Sequence, residues 1–169
     1  MTETILESSQ TSLRGTLRKL VLLVEGACKS PASSASLRRS TPFEVANSAA
    51  FYRVLANAQI EDETGDRLLR WATVVQCMAI GGDSSAPLPD GAMLARAGFS
   101  ESRFSRLLAA GGSTVQDQCV LAARFLHSRD HSCRWDDLGA LLILDAGSTT
   151  NAEQTRLRLA REYYRSLDD

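Results

Sequence analysis

A chain of 169 residues with 44% hydrophobic and 23% charged residues has the make-up of an ordinary folded protein, which excludes the disordered class. That length accommodates one helical domain or two small bundles packed together, since domains run to about 100–150 residues. With 19 basic against 20 acidic residues the net charge is −1, so a uniformly basic nucleic-acid binder is excluded and any basic surface must be local.

The elements follow one another as helices. Leu13, Leu17, Leu20, Val21 and Val24 recur at helical spacing and predict a helix over about 12–25, with Gly26 as its stop. From Cys28 to Pro42 the run CKSPASSASLRRSTP is rich in Ser, Ala and Pro. It carries Lys29, Arg38 and Arg39 with no acid before Glu44, the composition of an exposed basic loop over 28–42. AAFYRVLANA, Ala49–Ala58, reads as a short helix with Phe51, Leu55 and Ala58 on one side. The acids Glu61, Asp62, Glu63 and Asp66 suit a helix N-terminus. The longer helix that follows has Leu68, Ala72, Val75 and Ala79 on one stripe, widened by Trp71, Val74 and Met78, and ends at Gly81 and Gly82.

SSAPLPDG, residues 84–91, has loop chemistry and divides the chain into an N-terminal lobe over 1–83 and a C-terminal lobe over 92–169. A short helix around Met93–Ala97 stops at Gly98, and Ser100 can cap the next, which holds Phe104, Leu107 and Leu108 and closes at Gly111 and Gly112. Helices over Val115–Ser128, Trp135–Asp145 and Ala152–Leu167 complete the chain, the last two joined by the polar turn GSTTN. No stretch alternates apolar and polar residues over the length of a strand. The expected fold is all-α, with about seven or eight helices in two small packed lobes.

Nothing in the sequence supplies a catalytic apparatus. There is no nucleophile elbow, glycine-rich phosphate cradle or metal motif with working spacing. Asp136 and Asp137 are adjacent, so on a helix they point about 100° apart and suit a helix N-terminus better than a shared substrate. Cys28, Cys77, Cys119 and Cys133 form no CxxC pair. His127, His131 and Cys133 could in principle offer three ligands, but their spacing reads better as a helix end and a turn. No cofactor and no enzymatic activity are expected. With no charged-then-apolar leader and no apolar run near the roughly 18 residues of a membrane span, a cytoplasmic protein with reduced thiols is expected.

The positive features are arginines, which make up 17 of the basic residues. That bias suits bidentate pairing with phosphate or carboxylate, and a GC-rich genome also produces it. Arg103 and Arg106 share one side of their helix, with Arg96 just before it. Arg158, Arg161 and Arg165 form a second stripe beside Leu157, Ala160 and Tyr164, which are expected to face the core, and Arg124 lies on the outer edge of its helix. Spacing leaves two readings open: a solvated face partly paired with Glu101, Asp117 and Glu162, or a phosphate-binding surface that neutralises a nucleic-acid backbone without reading sequence. Trp71, Trp135, Phe51 and Phe104 fall on apolar stripes and are expected in the core, whereas Tyr52 and Tyr163 could lie at a lobe or subunit contact.

The strings LRRSTP, AAFYRVL, SESRFSRLL, ARFLHSRDHSCRWDDLGALL and LRLAREYYR, in that order from Leu37 to Arg165, resemble the CasB-type small subunit of the type I-E CRISPR Cascade surveillance complex. The resemblance implies an all-helical, two-lobed, non-enzymatic protein. It also implies its partners: the backbone and large Cascade subunits, a second copy of itself, the guide RNA, and the target and displaced DNA strands of the R-loop. Carried to this sequence, Arg39, Arg103 and Arg124 match positions that such subunits use for nucleic-acid contact. Arg53 and Arg161 match motif positions with a structural role as the alternative. The expected nucleic-acid-binding set is Arg38, Arg39, Arg103, Arg106, Arg124 and Arg161. The chain departs from the pattern in its slight net acidity and scarce lysine, and its first 35 or so residues match only in having one amphipathic helix. A helical adaptor or regulator that binds protein alone is the competing reading.

Overall fold

The computed structural model describes residues 2–146 and 149–168, with side chains for 12–146 and 150–168. Ten helices run in chain order: α1 (Thr2–Cys28), α2 (Pro31–Leu37), α3 (Pro42–Ala46), α4 (Ala49–Ala58), α5 (Gly65–Gly81), α6 (Asp90–Arg96), α7 (Glu101–Ala109), α8 (Gly112–Ser128), α9 (Asp136–Leu144) and α10 (Thr149–Asp168). No strand occurs among the described residues, and the all-α expectation holds. An isolated parallel bridge joins Gly82 to Cys133.

The helix count exceeds the expected seven or eight because the segment 28–42, expected as a loop, contains α2 and leads into α3. Its prolines act as starters. Pro31 and Pro42 each open a helix, where a missing N–H costs nothing. Thr41 and Glu44 close a reciprocal capping box, in which the Thr41 hydroxyl accepts from Glu44 N–H and the Glu44 carboxylate from Thr41 N–H. Leu37, fully buried at the end of α2, anchors the segment to the core.

Leu17, Leu20, Val21 and Val24 of α1 are buried as their spacing predicts, but the helix continues through Gly26 to Cys28. Around Gly26 no atom crowds the backbone, so nothing forces a stop there. The centre of the molecule is α5, against which α1, α3, α8 and α9 pack. Trp71, Trp135, Phe51 and Phe104 are all buried. Tyr163 is buried too, its ring stacked on Phe104 at 3.9 Å between centroids and its hydroxyl donating to the Phe99 carbonyl.

The register of the last helix differs from expectation. Ala152, Thr155, Leu159 and Tyr163 face inward, while Leu157 and Tyr164 are 66% and 42% exposed. Leu157 and Leu159, like the adjacent tyrosines, offer two competing apolar stripes, and packing against α6 selects the one containing Leu159. Of the expected turn GSTTN, Gly147 and Ser148 lie outside the described residues and Thr149–Asn151 already belong to α10. At the α6–α10 crossing Gly91 lies against the Leu159 carbonyl and Glu162 Cβ, an approach that leaves no room for a side chain. One buried cluster includes side chains from α1, α4 and α5 together with α6 to α10.

Candidate nucleic-acid interface

The arginines divide into two populations. Arg14 and Arg158 converge on Asp137, Arg18 and Arg134 on Asp136, and Arg70 and Arg156 on Asp145, while Arg67 pairs with Glu63. Apart from the Arg67–Glu63 pair, which is local to the start of α5, these ties fasten α1, α5 and α10 to α9 and its C-terminal Asp145, and their carboxylates lie at or near the molecular interior. Arg158, expected in a surface stripe with Arg161, belongs to this structural group at 3.1 Å from Asp137.

Arg38, Arg39, Arg103, Arg106, Arg124 and Arg161 are all exposed. None forms an ion pair among the described residues, and the pairings with Glu101, Asp117 and Glu162 that a balanced solvated face would require are not made. Arg53, Arg96 and Arg165 are likewise exposed and without carboxylate partners among the described residues.

Packing places these residues in groups. Gln76 of α5 donates to the Arg39 carbonyl, and Arg38 Nε donates to the Ala79 carbonyl at 2.6 Å. Arg124 follows Ala123, whose carbonyl lies against Gly81. Arg38, Arg39 and Arg124 are thus set around the C-terminal half of α5. A second group lies at α7 and the end of α8, where the Arg103 and Arg129 guanidinium carbons stand 5.4 and 5.5 Å from the Phe125 ring centroid. Arg106 follows Arg103 by one helical turn. Arg124 and Phe125 are successive on α8, so the two groups adjoin along that helix. Arg161 is on α10, where it lines a hollow of 250 Å³ with Gln154, Leu157 and Arg158 and shares no lining residue with either group.

Arg129 and Phe125 were not among the expected contact residues. Phe125 reads as the flank of an apolar stripe, and Arg129 lies far along the chain from Arg103, so periodicity gives no signal that they meet. Phe43, 67% exposed beside Arg39 on the rim of a surface hollow, is also visible only in the fold.

The remaining polar chemistry is internal. Asp90, buried, accepts N–H bonds from Trp135, Asp137 and Leu138 at 2.9–3.1 Å and so caps α9 from α6. Burial pushes its carboxyl up to about 6, outweighing those bonds, with Asp137 and Asp136 adding to the rise. Glu162 accepts from Gly91 N–H, and burial, reinforced by Asp137, raises it to about 7. Cys77, Cys119 and Cys133 are buried, and desolvation raises all three thiols. Cys133 is buried whereas His127 is exposed, and no set of three or more metal-ligating side chains converges among the described residues. No described helix is long and apolar enough to cross a membrane. What the surface offers is an array of uncompensated guanidinium forks, chemistry suited to phosphate oxygens.

A comparison with protein-family models matches residues 33–164 to the family described as CRISPR-associated protein Cse2. Neither the curated proteins nor the solved structures give a match.

Proposed function

The chain belongs to the CRISPR-associated Cse2 family and is thereby a subunit of the type I-E CRISPR Cascade complex, and from that premise we propose that it stabilises the target and displaced DNA strands of the R-loop while bridging neighbouring subunits. Base pairing with the guide supplies the sequence specificity of RNA-guided recognition. The small subunit contributes shape and charge, without catalysis. The observation that carries this reading is that all six expected arginines are exposed and lack a carboxylate partner among the described residues. The guanidinium groups that tie helices together are paired with carboxylates, as Arg14, Arg70 and Arg156 are, whereas among the described residues only Arg38 of the six donates a bond to the fold, to the Ala79 carbonyl.

Its partners on this reading are the backbone and large Cascade subunits, a second copy of the chain, the guide RNA and the two DNA strands. The apolar side chains Leu22, Tyr52 and Leu121, each more than half exposed, are available for the protein contacts.

The test uses the assembled complex with its guide, wild type against the triple variant Arg39→Ala, Arg103→Ala, Arg124→Ala. DNA affinity measured across a salt series should fall, and the log–log slope should flatten by about 2–3 units if each arginine displaces about one counterion. Assembly and helicity should be unchanged. Parallel lines of equal affinity would assign the arginines to solvated surface, and a triple variant that no longer assembles would assign them to subunit contacts.

A further inference from the structure

Two arginines that are distant in sequence and have no carboxylate partner among the described residues converge on one aromatic ring. Arg103 comes from α7 and Arg129 from the residue that terminates α8, and both are exposed. Their guanidinium carbons lie 5.4 and 5.5 Å from the centroid of Phe125. That ring packs on Phe99, edge to face at 5.2 Å. Like charges gathered at one place repel, and elsewhere in this molecule converging guanidinium groups are balanced by acid, as Arg14 and Arg158 are at Asp137. At Phe125 no carboxylate pairs with either group among the described residues, and the ring quadrupole is what both cations face. A π contact also consumes none of the five N–H donors of either group.

Resting on the nucleic-acid reading above, we propose that Arg103 and Arg129 form a two-guanidinium clamp for backbone phosphates of one nucleic-acid strand. Phe125 is the positioning residue that holds both cations before the strand arrives. Side chains already held on a ring lose less rotamer freedom on binding than free ones. Arg106, one turn along α7, extends the clamp. The ligand class is the phosphodiester backbone, recognised by charge and without base readout.

The experiment compares variants in the assembled complex, reading DNA affinity across a salt series beside thermal melting. Arg129→Ala should weaken binding and flatten the log–log slope by about one unit, as Arg103→Ala does. Phe125→Leu and Phe125→Met keep every charge, so they should weaken binding about two- to fivefold, the worth of the lost π contacts, at unchanged slope. Phe125→Tyr should restore affinity. Two non-aromatic variants guard against one that folds poorly. If Arg129→Ala lowers melting but binds DNA with wild-type affinity and slope while Arg39→Ala and Arg124→Ala lose affinity, the clamp is overturned and the broader reading stands. If the arginine variants lose affinity but Phe125→Leu and Phe125→Met do not, the positioning role is overturned. If no arginine variant changes binding, clamp and broader reading fall together.

Discussion

At the scale of single residues, one buried and one half-buried carboxylate give the protein a pH dependence opposite in sign to ordinary acid denaturation. Asp90 and Glu162 have folded-state values of about 6 and about 7, above the 3.8 and 4.5 of the free groups. The native state therefore binds protons more tightly than the unfolded chain over that interval, and stability falls as pH rises from about 4 to about 7. Glu63 and Asp83, lowered by hydrogen bonds from Arg67 and Ser85 respectively, act in the other direction only at more acidic pH. We expect the melting temperature to decrease between pH 5 and pH 8, and Glu162→Gln, which can still accept from Gly91 N–H, to flatten the upper part of that decline. Identical slopes for wild type and variant would refute the assignment. Asp90→Asn should cost about 1–3 kcal/mol at pH 8, because an amide nitrogen must then face at least one of three N–H donors. Denaturant titration measures it. None of this was legible in the sequence, where Asp90 is one acid in a loop-like stretch and its three partners lie 45 to 48 positions away.

At the scale of elements, the α6–α10 crossing depends on the absence of a side chain at Gly91. A Cβ there would meet the Leu159 carbonyl, with Glu162 Cβ at 2.9 Å and Tyr163 N at 3.1 Å, and backbone cannot yield as a side-chain tip can. Gly91→Ala should destabilise by about 1–3 kcal/mol, lowering the melting temperature by several degrees at roughly 2–4 °C per kcal/mol. Gly26→Ala, where no atom stands within 4 Å, should be neutral or slightly stabilising because alanine favours the helix interior. A melting curve for Gly91→Ala indistinguishable from that of Gly26→Ala would contradict the packing argument. The same contrast shows what periodicity can read. Helices with one clear stripe, such as α4 and α5, lie where their spacing predicts, because burial of one face is written into that spacing. Segment 28–42 departs from its loop-like composition because Ser, Ala and Pro suit a loop and a capped helix start equally well. The buried face of α10 differs from the expected one because two stripes compete and only the position of α6 decides between them. The exposure of the arginines was legible from their place opposite apolar residues. Their lack of carboxylate partners was not, since that depends on where distant acids fall.

At the scale of the whole molecule, we infer that the lobes 1–83 and 92–169, joined by 84–91, pack on a shared core and melt as one unit. Leu17 of α1 lies against Gly139 of α9, the Arg14 guanidinium reaches Asp137, and the Glu25 carboxylate accepts from Ser84 within the connection itself. Separately expressed 1–83 and 92–169 would each expose apolar surface that the other now covers. Each should show weak helicity and no cooperative transition, whereas the full chain should show one. Two well-resolved transitions in the full chain would instead establish independent lobes. The burial of both tryptophans carries a practical consequence. The Trp71 indole N–H is bonded to Glu63 and that of Trp135 to the Gly81 carbonyl, and both rings are shut off from water, while every arginine of the proposed interface lies on the outside. Native emission should thus be blue-shifted, move to the red on unfolding, and stay unchanged when DNA occupies the arginine surface. The two indoles are an intrinsic optical reporter of folding that is blind to nucleic acid, so the integrity of each arginine variant can be followed in the same cuvette in which its strand is bound.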